Sequence, residues 1–413
     1  MAEREVEYLL IGGGLAATSC AGWLRRSGAE GSILLVGREP DLPYDRPPLS
    51  KGYLRGDASR EDALVHTAAW YEEQQIEVLT RTSAMKLDLD ARVVKLSNRE
   101  EVGFAQALLA TGANVRRLDV PGAELEGIHY LRTFANSDAI RADAAGRRVV
   151  MIGGSYIASE VAASLTELGS ICTMVMIEPV ALSRTFGEPV ARYFHDLLTG
   201  HGIEIHAADE LDRFEGADGR VTKVVTRSGR ELAADAVVIG AGVGPDVMLA
   251  RGAGLALGDT GGIRVDAQLQ SATPGVFAAG DVAEYESVVH GGRRIRVEHW
   301  DVAFNHGKTV ALNMLGAAAP FDAVPYFFSD LSDWAAIEYL GPAYGWDREV
   351  IRGSLDDGRF TVFYLSEGRM AGALTVGRSE DLQPARTWIA SGESLAGRED
   401  ELGDLSTKLI ASK

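Results

Sequence analysis

The sequence predicts an α/β chain with two doubly wound units followed by a segment of hairpins, and three observations carry that expectation. In the first, Val6-Glu7-Tyr8-Leu9-Leu10-Ile11 meets Gly12-Gly13-Gly14-Leu15-Ala16-Ala17, an Ala/Leu-rich run to Ser27, and then Ile33-Leu34-Leu35-Val36. A short apolar run, a glycine turn, a helical period and a second apolar run is the order of a βαβ unit. In the second, Arg148-Val149-Val150-Met151-Ile152 leads into Gly153-Gly154-Ser155-Tyr156-Ile157-Ala158, a helical run to Leu168 and a strand over 171–176. The third is a shift in composition from Pro325. Tyr326-Phe327-Phe328-Ser329-Asp330 is followed by Asp356-Asp357-Gly358 and Ser366-Glu367-Gly368, turn signals lying between alternating strands.

Each glycine of the first turn has its own work. Gly12 permits the tight turn, and Gly14 lets the backbone approach a pyrophosphate held at the helix N-terminus. The third position packs helix on strand, where Ala17 suffices. Glu39 follows the second strand at the distance expected of an acid that accepts a ribose hydroxyl. One such pattern is imitated by any glycine turn between strand and helix. Its repetition predicts two dinucleotides, one for each unit.

Composition excludes several function classes. A chain of 413 residues, 46% hydrophobic and 24% charged, is long enough for two or three domains with their own cores. The formal net charge of −18 argues against nucleic-acid binding. An acidic partner would need a local positive patch, for which Arg293-Arg294-Ile295-Arg296 is the candidate. The acidic start Met1-Ala2-Glu3-Arg4-Glu5 has no secretory character and no apolar run reaches membrane-spanning length, so a cytoplasmic protein without membrane insertion is expected. Cys20 and Cys172 form neither a disulfide framework nor a C-x-x-C pair. The histidines, His195, His201 and His206 among them, lack metal-ligand spacing, and no metal is expected.

After Glu39 the run Asp41-Leu42-Pro43-Tyr44-Asp45-Arg46-Pro47-Pro48-Leu49-Ser50-Lys51 is fixed by its prolines as a rigid loop carrying two cations. This segment resembles the pyridine-nucleotide-dependent flavoproteins that include bacterial ferredoxin reductases of the putidaredoxin reductase type and apoptosis-inducing factor. The similarity runs through nearly the whole chain, and 43–51 is its most specific short signature. It implies a glutathione reductase-like, three-layer ββα architecture. An FAD-binding domain would span 1–113 and 242–321, an NAD(P)H-binding domain 114–241, and a C-terminal α+β domain with an antiparallel sheet 322–413. The FAD residues it implies are Gly12, Gly13, Gly14, Leu15, Ala16, Glu39, Arg46, Lys51, Ala84 and Arg132. Gly280, Asp281, His299, Trp300 and Phe328 complete that set. Phe328 stands where the family commonly has a tryptophan over the flavin or nicotinamide, and Trp300 where apoptosis-inducing factor has a second histidine.

The resemblance assigns Gly153, Gly154, Ser155, Tyr156, Ile157, Glu178, Arg184, Gly242, Glu298 and Glu338 to NAD, and pairs Glu160 with Lys51 as the catalytic couple near flavin N5. Ser155 replaces a glycine, its hydroxyl able to donate to a phosphate, and Met176 stands where many relatives carry the ribose-binding acid. Glu178, two positions on, accepts ribose hydroxyls and repels a 2′-phosphate, which favours NADH over NADPH. A helix over 63–75 is expected from its periodicity, with alternating strands over 76–96.

The function implied is hydride transfer from NADH to FAD, then electron transfer to a ferredoxin-type [2Fe–2S] protein, by a monomer or homodimer. Without a thiol pair, electrons must leave directly from the flavin. Two alternatives stand beside it: an apoptosis-inducing-factor-like oxidoreductase using quinone or oxygen, and a flavin-containing regulatory or scaffold protein.

Overall fold

The computed structural model describes residues 4–411. Its first parallel sheet runs in the order Ile76–Leu79, Ile33–Val36, Arg4–Ile11, Glu101–Leu109, and Val276–Ala278 pairs with the last of these. Leu9, Leu10, Leu34 and Leu35 are fully buried, as apolar runs covered on both faces require. The strands Ala84–Asp88 and Val93–Leu96 form an antiparallel hairpin on the opening residues of Glu101–Leu109, which gives one face a β layer. The other face carries the helices Leu15–Arg26 and Trp300–Met314.

Those two helices meet backbone to backbone at Gly307. A Cβ there would overlap the Ala16 carbonyl and stand 2.7 Å from Ser19 Cβ and 2.8 Å from Cys20 N. Ser19 Oγ donates to the Phe304 carbonyl at 2.7 Å beside the contact. The chain segment that returns late in the sequence is thereby locked onto the first glycine-turn helix.

A second parallel sheet runs Glu204–His206, Ile171–Val175, Arg148–Ile152, Ala236–Ile239, Ile128–Tyr130, with the helix Tyr156–Glu167 after its glycine turn. The chain crosses to and from this unit through the antiparallel pair Ala113–Val115 and Val243–Pro245. The last sheet is antiparallel, in the order Tyr326–Leu331, Ala335–Leu340, Arg369–Val376, Arg359–Ser366, Arg348–Ser354. One of its faces packs on the helix Leu382–Ser391 through the fully buried Trp388. Its other face sends Leu331, Ile337, Phe360 and Val362 into one core with Val161, Phe186 and Phe194 of the second unit.

The helix expected over 63–75 is a correction. Only Arg60–Ala63 and Ala68–Glu73 are helical. Between them the backbone bonds to the proline loop instead, Asp45 N to the Ala63 carbonyl at 2.8 Å and Val65 N to the Pro43 carbonyl at 3.0 Å. Thr67 then caps a new start by accepting from Trp70 N. Among the described residues no helix is long and apolar enough to cross a membrane.

Gly307→Ala tests the helix contact. In an unconstrained helix the change would stabilise by up to about 1 kcal/mol, whereas overpacking here is expected to destabilise by about 1–3 kcal/mol in urea denaturation. The sign of the change is the readout.

Candidate functional site

A cavity of about 610 Å³ opens at the carboxyl ends of the first sheet, lined by Ile11 and Val36 at the ends of two parallel strands and by Ala110 and Ala279 just past the ends of two more. That end of an open α/β sheet is where nucleotides bind, because the glycine turn there exposes the helix N-terminus. Gly12 holds φ at +137°, with its Cα so close to the Ala110 carbonyl that any side chain would overlap it. A Cβ on Gly14 would meet nothing within 4 Å, leaving space open in front of the helix Leu15–Arg26. Gly13, Leu15, Ala16 and Ala84 also line this wall.

Arg46 and Arg132 both line the cavity. Arg46 donates to Glu39 Oε1 at 2.6 Å and to the Arg132 carbonyl, and Arg132 reaches Asp281 at 3.4 Å. Burial first, and the neighbouring Arg46 second, pull the Arg132 pKa below its ordinary value. Like charges brought together on one wall suit a bound anion, and a diphosphate supplies one. Burial works to raise the Glu39 carboxyl, but Arg46 and the Tyr44 hydroxyl, which donates at 2.5 Å, hold it below the usual range. A carboxylate offers about four acceptor positions, so these two bonds leave Glu39 capacity for a ribose.

Deeper in, Lys51 Nζ lies 2.7 Å from Glu160 Oε2, and both residues line the cavity. Lys51 follows the short turn Pro47–Ser50, and Glu160 lies one turn into the helix Tyr156–Glu167, so the pair ties the first unit to the second. Gly280 and Asp281 close the wall where the strand Val276–Ala278 ends. Behind them the buried His306, unmarked in the sequence, accepts from Gly280 N at 3.2 Å.

The mouth is aromatic. Trp300, 37% exposed, donates from its indole to Asp45 at 2.6 Å and stacks on Phe304. It meets Phe328 edge to face at 6.5 Å, so an indole from the helix stands beside the phenyl ring from the strand. His299, the residue before the helix Trp300–Met314, lines the same mouth, and burial pushes its pKa down to about 4.

The residues assigned to NAD divide. Ile157 and Glu298 line the large cavity; Gly153, Gly154, Ser155 and Tyr156 stand outside it. Glu298 pairs with Arg296 beside Asp281 on the first cavity's wall. The Ser155 hydroxyl donates to the Gly240 carbonyl at 3.0 Å. The Tyr156 ring packs against Phe186 and Phe327 at the joint with the C-terminal sheet. Met176 Sδ lies 2.6 Å from where a Gly154 Cβ would stand, and Glu178 Oε2 3.5 Å from it, so the glutamate sits at the lip of the second turn. Gly242 lies at the crossing between units, where its carbonyl accepts from Arg116 N at 3.0 Å. Glu338 lies across from Phe328 in the C-terminal sheet and accepts from Tyr326 at 2.8 Å and from Ser379. Arg184 belongs to the short helix Ser183–Phe186, and its side chain lies outside the described residues.

The arginines of the candidate basic patch each have a neighbour in the fold. Arg293 lies over the Tyr344 ring, Arg294 binds the Val265 carbonyl and Glu286, and Arg296 pairs with Glu298. Arg293 nevertheless stays exposed and Arg294 partly so, while Arg296 is engaged at the cavity wall.

The residues present fit an extended dinucleotide with a flat ring system. They offer an open helix N-terminus, two arginines for a diphosphate, an acid for a ribose, and a buried ion pair beside an aromatic mouth.

Comparison with known proteins agrees. The family model described as pyridine nucleotide-disulphide oxidoreductase matches residues 6–307, and the one described as reductase C-terminal matches 326–411. The anthranilate 1,2-dioxygenase system ferredoxin–NAD(+) reductase component of Burkholderia cepacia is 37% identical over 93% of this chain and 94% of its own length. A ferredoxin reductase from Rhodopseudomonas palustris superposes with a TM-score of 0.93 at 34% identity, covering 98% of both chains. The crystal structure of the covalent putidaredoxin reductase–putidaredoxin complex matches with a TM-score of 0.92 at 32% identity, over 99% of this chain and 98% of that one.

Two histidines of the site give a pH signature. Burial lowers His299 to about 4 and His306 to about 3, against about 6.5 in the unfolded chain. Between those values the unfolded chain binds the protons, so stability rises with pH, is complete above about 6.5 and is lost on acidification. Each group contributes at most about 1.4 kcal/mol per pH unit. Urea denaturation from pH 7 to 4.5 is expected to show the slope, and His306→Gln to remove the part that His306 contributes.

Proposed function

This chain belongs to the pyridine nucleotide-disulphide oxidoreductase family, and from that premise we propose that it is an FAD-dependent NADH reductase delivering electrons to a ferredoxin-type [2Fe–2S] protein. The observation that carries the reading is the Lys51–Glu160 ion pair on the wall of a dinucleotide-sized cavity, in a chain whose two cysteines are free and buried. Burial raises both thiols, Cys172 to about 11, which keeps them protonated and inert. A thiol relay is therefore absent among the described residues, and electrons leave from the cofactor itself. The nature of the acceptor is supported by the relatives, one a ferredoxin–NAD(+) reductase component and another solved in complex with putidaredoxin.

FAD bound here supplies the redox chemistry, accepting hydride from a nicotinamide and releasing electrons onward. The chain's part is orientation and electrostatics. Arg46 and Arg132 would hold the diphosphate, Glu39 a ribose, and Asp281 the ribityl hydroxyls. The ammonium of Lys51, held by Glu160, stabilises negative charge gained at the ring. The N-terminus of the helix Trp300–Met314 adds its partial positive charge at the cavity mouth. Trp300 and Phe328 cover the mouth and exclude water. Glu178 at the lip of the second glycine turn supports NADH as donor, since a carboxylate there repels a 2′-phosphate. We divide the chain into an FAD domain (1–113 and 242–321), a nicotinamide domain (114–241) and a C-terminal domain (322–413), and read it as a cytoplasmic monomer or homodimer.

Anaerobic titration of the purified protein is the test. NADH is expected to bleach the flavin spectrum, and NADPH to need a far higher concentration. Lys51→Met is expected to slow bleaching about 100-fold while FAD stays bound. A folded, colourless protein that refuses added FAD would sink the reading, and reduction of quinones but of no ferredoxin would remove its acceptor.

A further inference from the structure

Glu160 is held by more than its lysine. Its Oε2 accepts from Lys51 Nζ at 2.7 Å and from Ser50 Oγ at 2.5 Å, and its Oε1 accepts from Ser329 Oγ at 2.6 Å. These donors come from separate parts of the chain. Ser50 and Lys51 end the proline loop, whereas Ser329 is the fourth residue of the strand Tyr326–Leu331 in the C-terminal sheet. Ser329 is 0% exposed, Ser50 2% and Glu160 4%. The carboxylate is sealed where three segments converge.

A charge this deep keeps one orientation only while its oxygens are filled. Ser50 is itself fixed, since its carbonyl accepts from Ser164 Oγ at 2.7 Å. Ser329 is the only hydrogen-bond donor to Oε1 among the described side chains. Without it that oxygen is a buried acceptor lacking a partner, and the broad terminal torsion of a glutamate lets the carboxylate turn. Lys51 would follow, because Glu160 is its ion-pair partner.

We propose that Ser329 is a positioning residue for the redox reaction: together with Ser50 it locks the Glu160 carboxylate so that Lys51 is presented to the cofactor cavity. The C-terminal sheet is then part of the redox site, and its seating on the helix Tyr156–Glu167 sets where the site's positive charge stands. The proposal rests on the reading of the cavity as a flavin site, and the wild-type protein tests that reading separately. A wild type without flavin, or one not bleached by NADH, defeats the earlier reading before any variant is compared.

The experiment uses FAD-loaded wild type, Ser329→Ala, Ser329→Thr, Glu160→Gln and the Ser329→Ala/Glu160→Gln double variant. Flavin content, midpoint potential and stopped-flow bleaching over a range of NADH concentrations are measured. Ser329→Ala is expected to keep its flavin and its half-saturating NADH concentration, while the limiting rate falls about 10-fold. Its two-electron equilibrium weakens by a similar factor, a drop of about 30 mV. Ser329→Thr, which keeps the hydroxyl, is expected to recover to within about 3-fold of wild type. In the Glu160→Gln background Ser329→Ala is expected to add less than about 2-fold, because its effect runs through that carboxylate. Wild-type rate and potential in a Ser329→Ala protein that has merely lost thermal stability would overturn the proposal, as would a full additional loss in the double variant. Should Ser329→Ala not fold, Ser329→Cys, a weak donor of similar volume, is judged by the same measures, and wild-type values there overturn the proposal equally.

Discussion

Burying a carboxylate is among the most unfavourable things a folded chain does, and Glu160 is tolerable only because every direction around it is answered by a donor. Those donors lie on the proline loop and on the first strand of the C-terminal sheet, while Glu160 itself rides on the helix after the second glycine turn. The charge therefore requires all three segments to be in place at once. It follows that the cavity wall forms only when the three units of the fold have docked.

The diphosphate end obeys the same electrostatics with the opposite sign. Burial and the neighbouring Arg46 disfavour the charge on Arg132, and Asp281 and Glu39 offset only part of that, whereas Tyr44 and Glu39 favour the charge on Arg46 overall. A chain of strongly acidic net charge thus concentrates cations on the one surface where an anionic cofactor is to be held. The close helix contact at Gly307 keeps that surface rigid, since it fixes the segment carrying His299 and Trp300 against the first glycine turn.

Much of this was legible along the chain. Apolar runs too short for helices became fully buried parallel strands, and both glycine turns lie at strand ends as their spacing required. The hairpin signals after Pro325 became an antiparallel sheet. Local signals failed wherever the backbone or a side chain had a stronger partner far away. Periodicity across 63–75 read as one helix, but hydrogen bonds to the loop at 43–45 broke it. That the Ser155 hydroxyl would donate to the Gly240 carbonyl, a partner 85 positions away, was equally invisible. Which ring, carbonyl or carboxylate the arginines at 293, 294 and 296 would meet was likewise not legible, although Arg293 stays exposed as a surface run requires. His306 and Ser329 carried no signal at all, being an ordinary histidine inside a helix and an ordinary serine inside a strand.

By itself the sequence determined the units and their order, because strand, turn and helix are set by neighbours a few positions apart and by periods of two and 3.6 residues. It also determined that no pair of spaced cysteines was on hand for a thiol relay. Only the tertiary structure decided which hydroxyls close around Glu160, which acid faces which arginine, and that an indole from one segment meets a phenyl ring from another. Those outcomes depend on distances between residues far apart in the chain. Hydrogen bonds and ion pairs fall off over a few ångströms, so nothing short of the folded packing selects their partners.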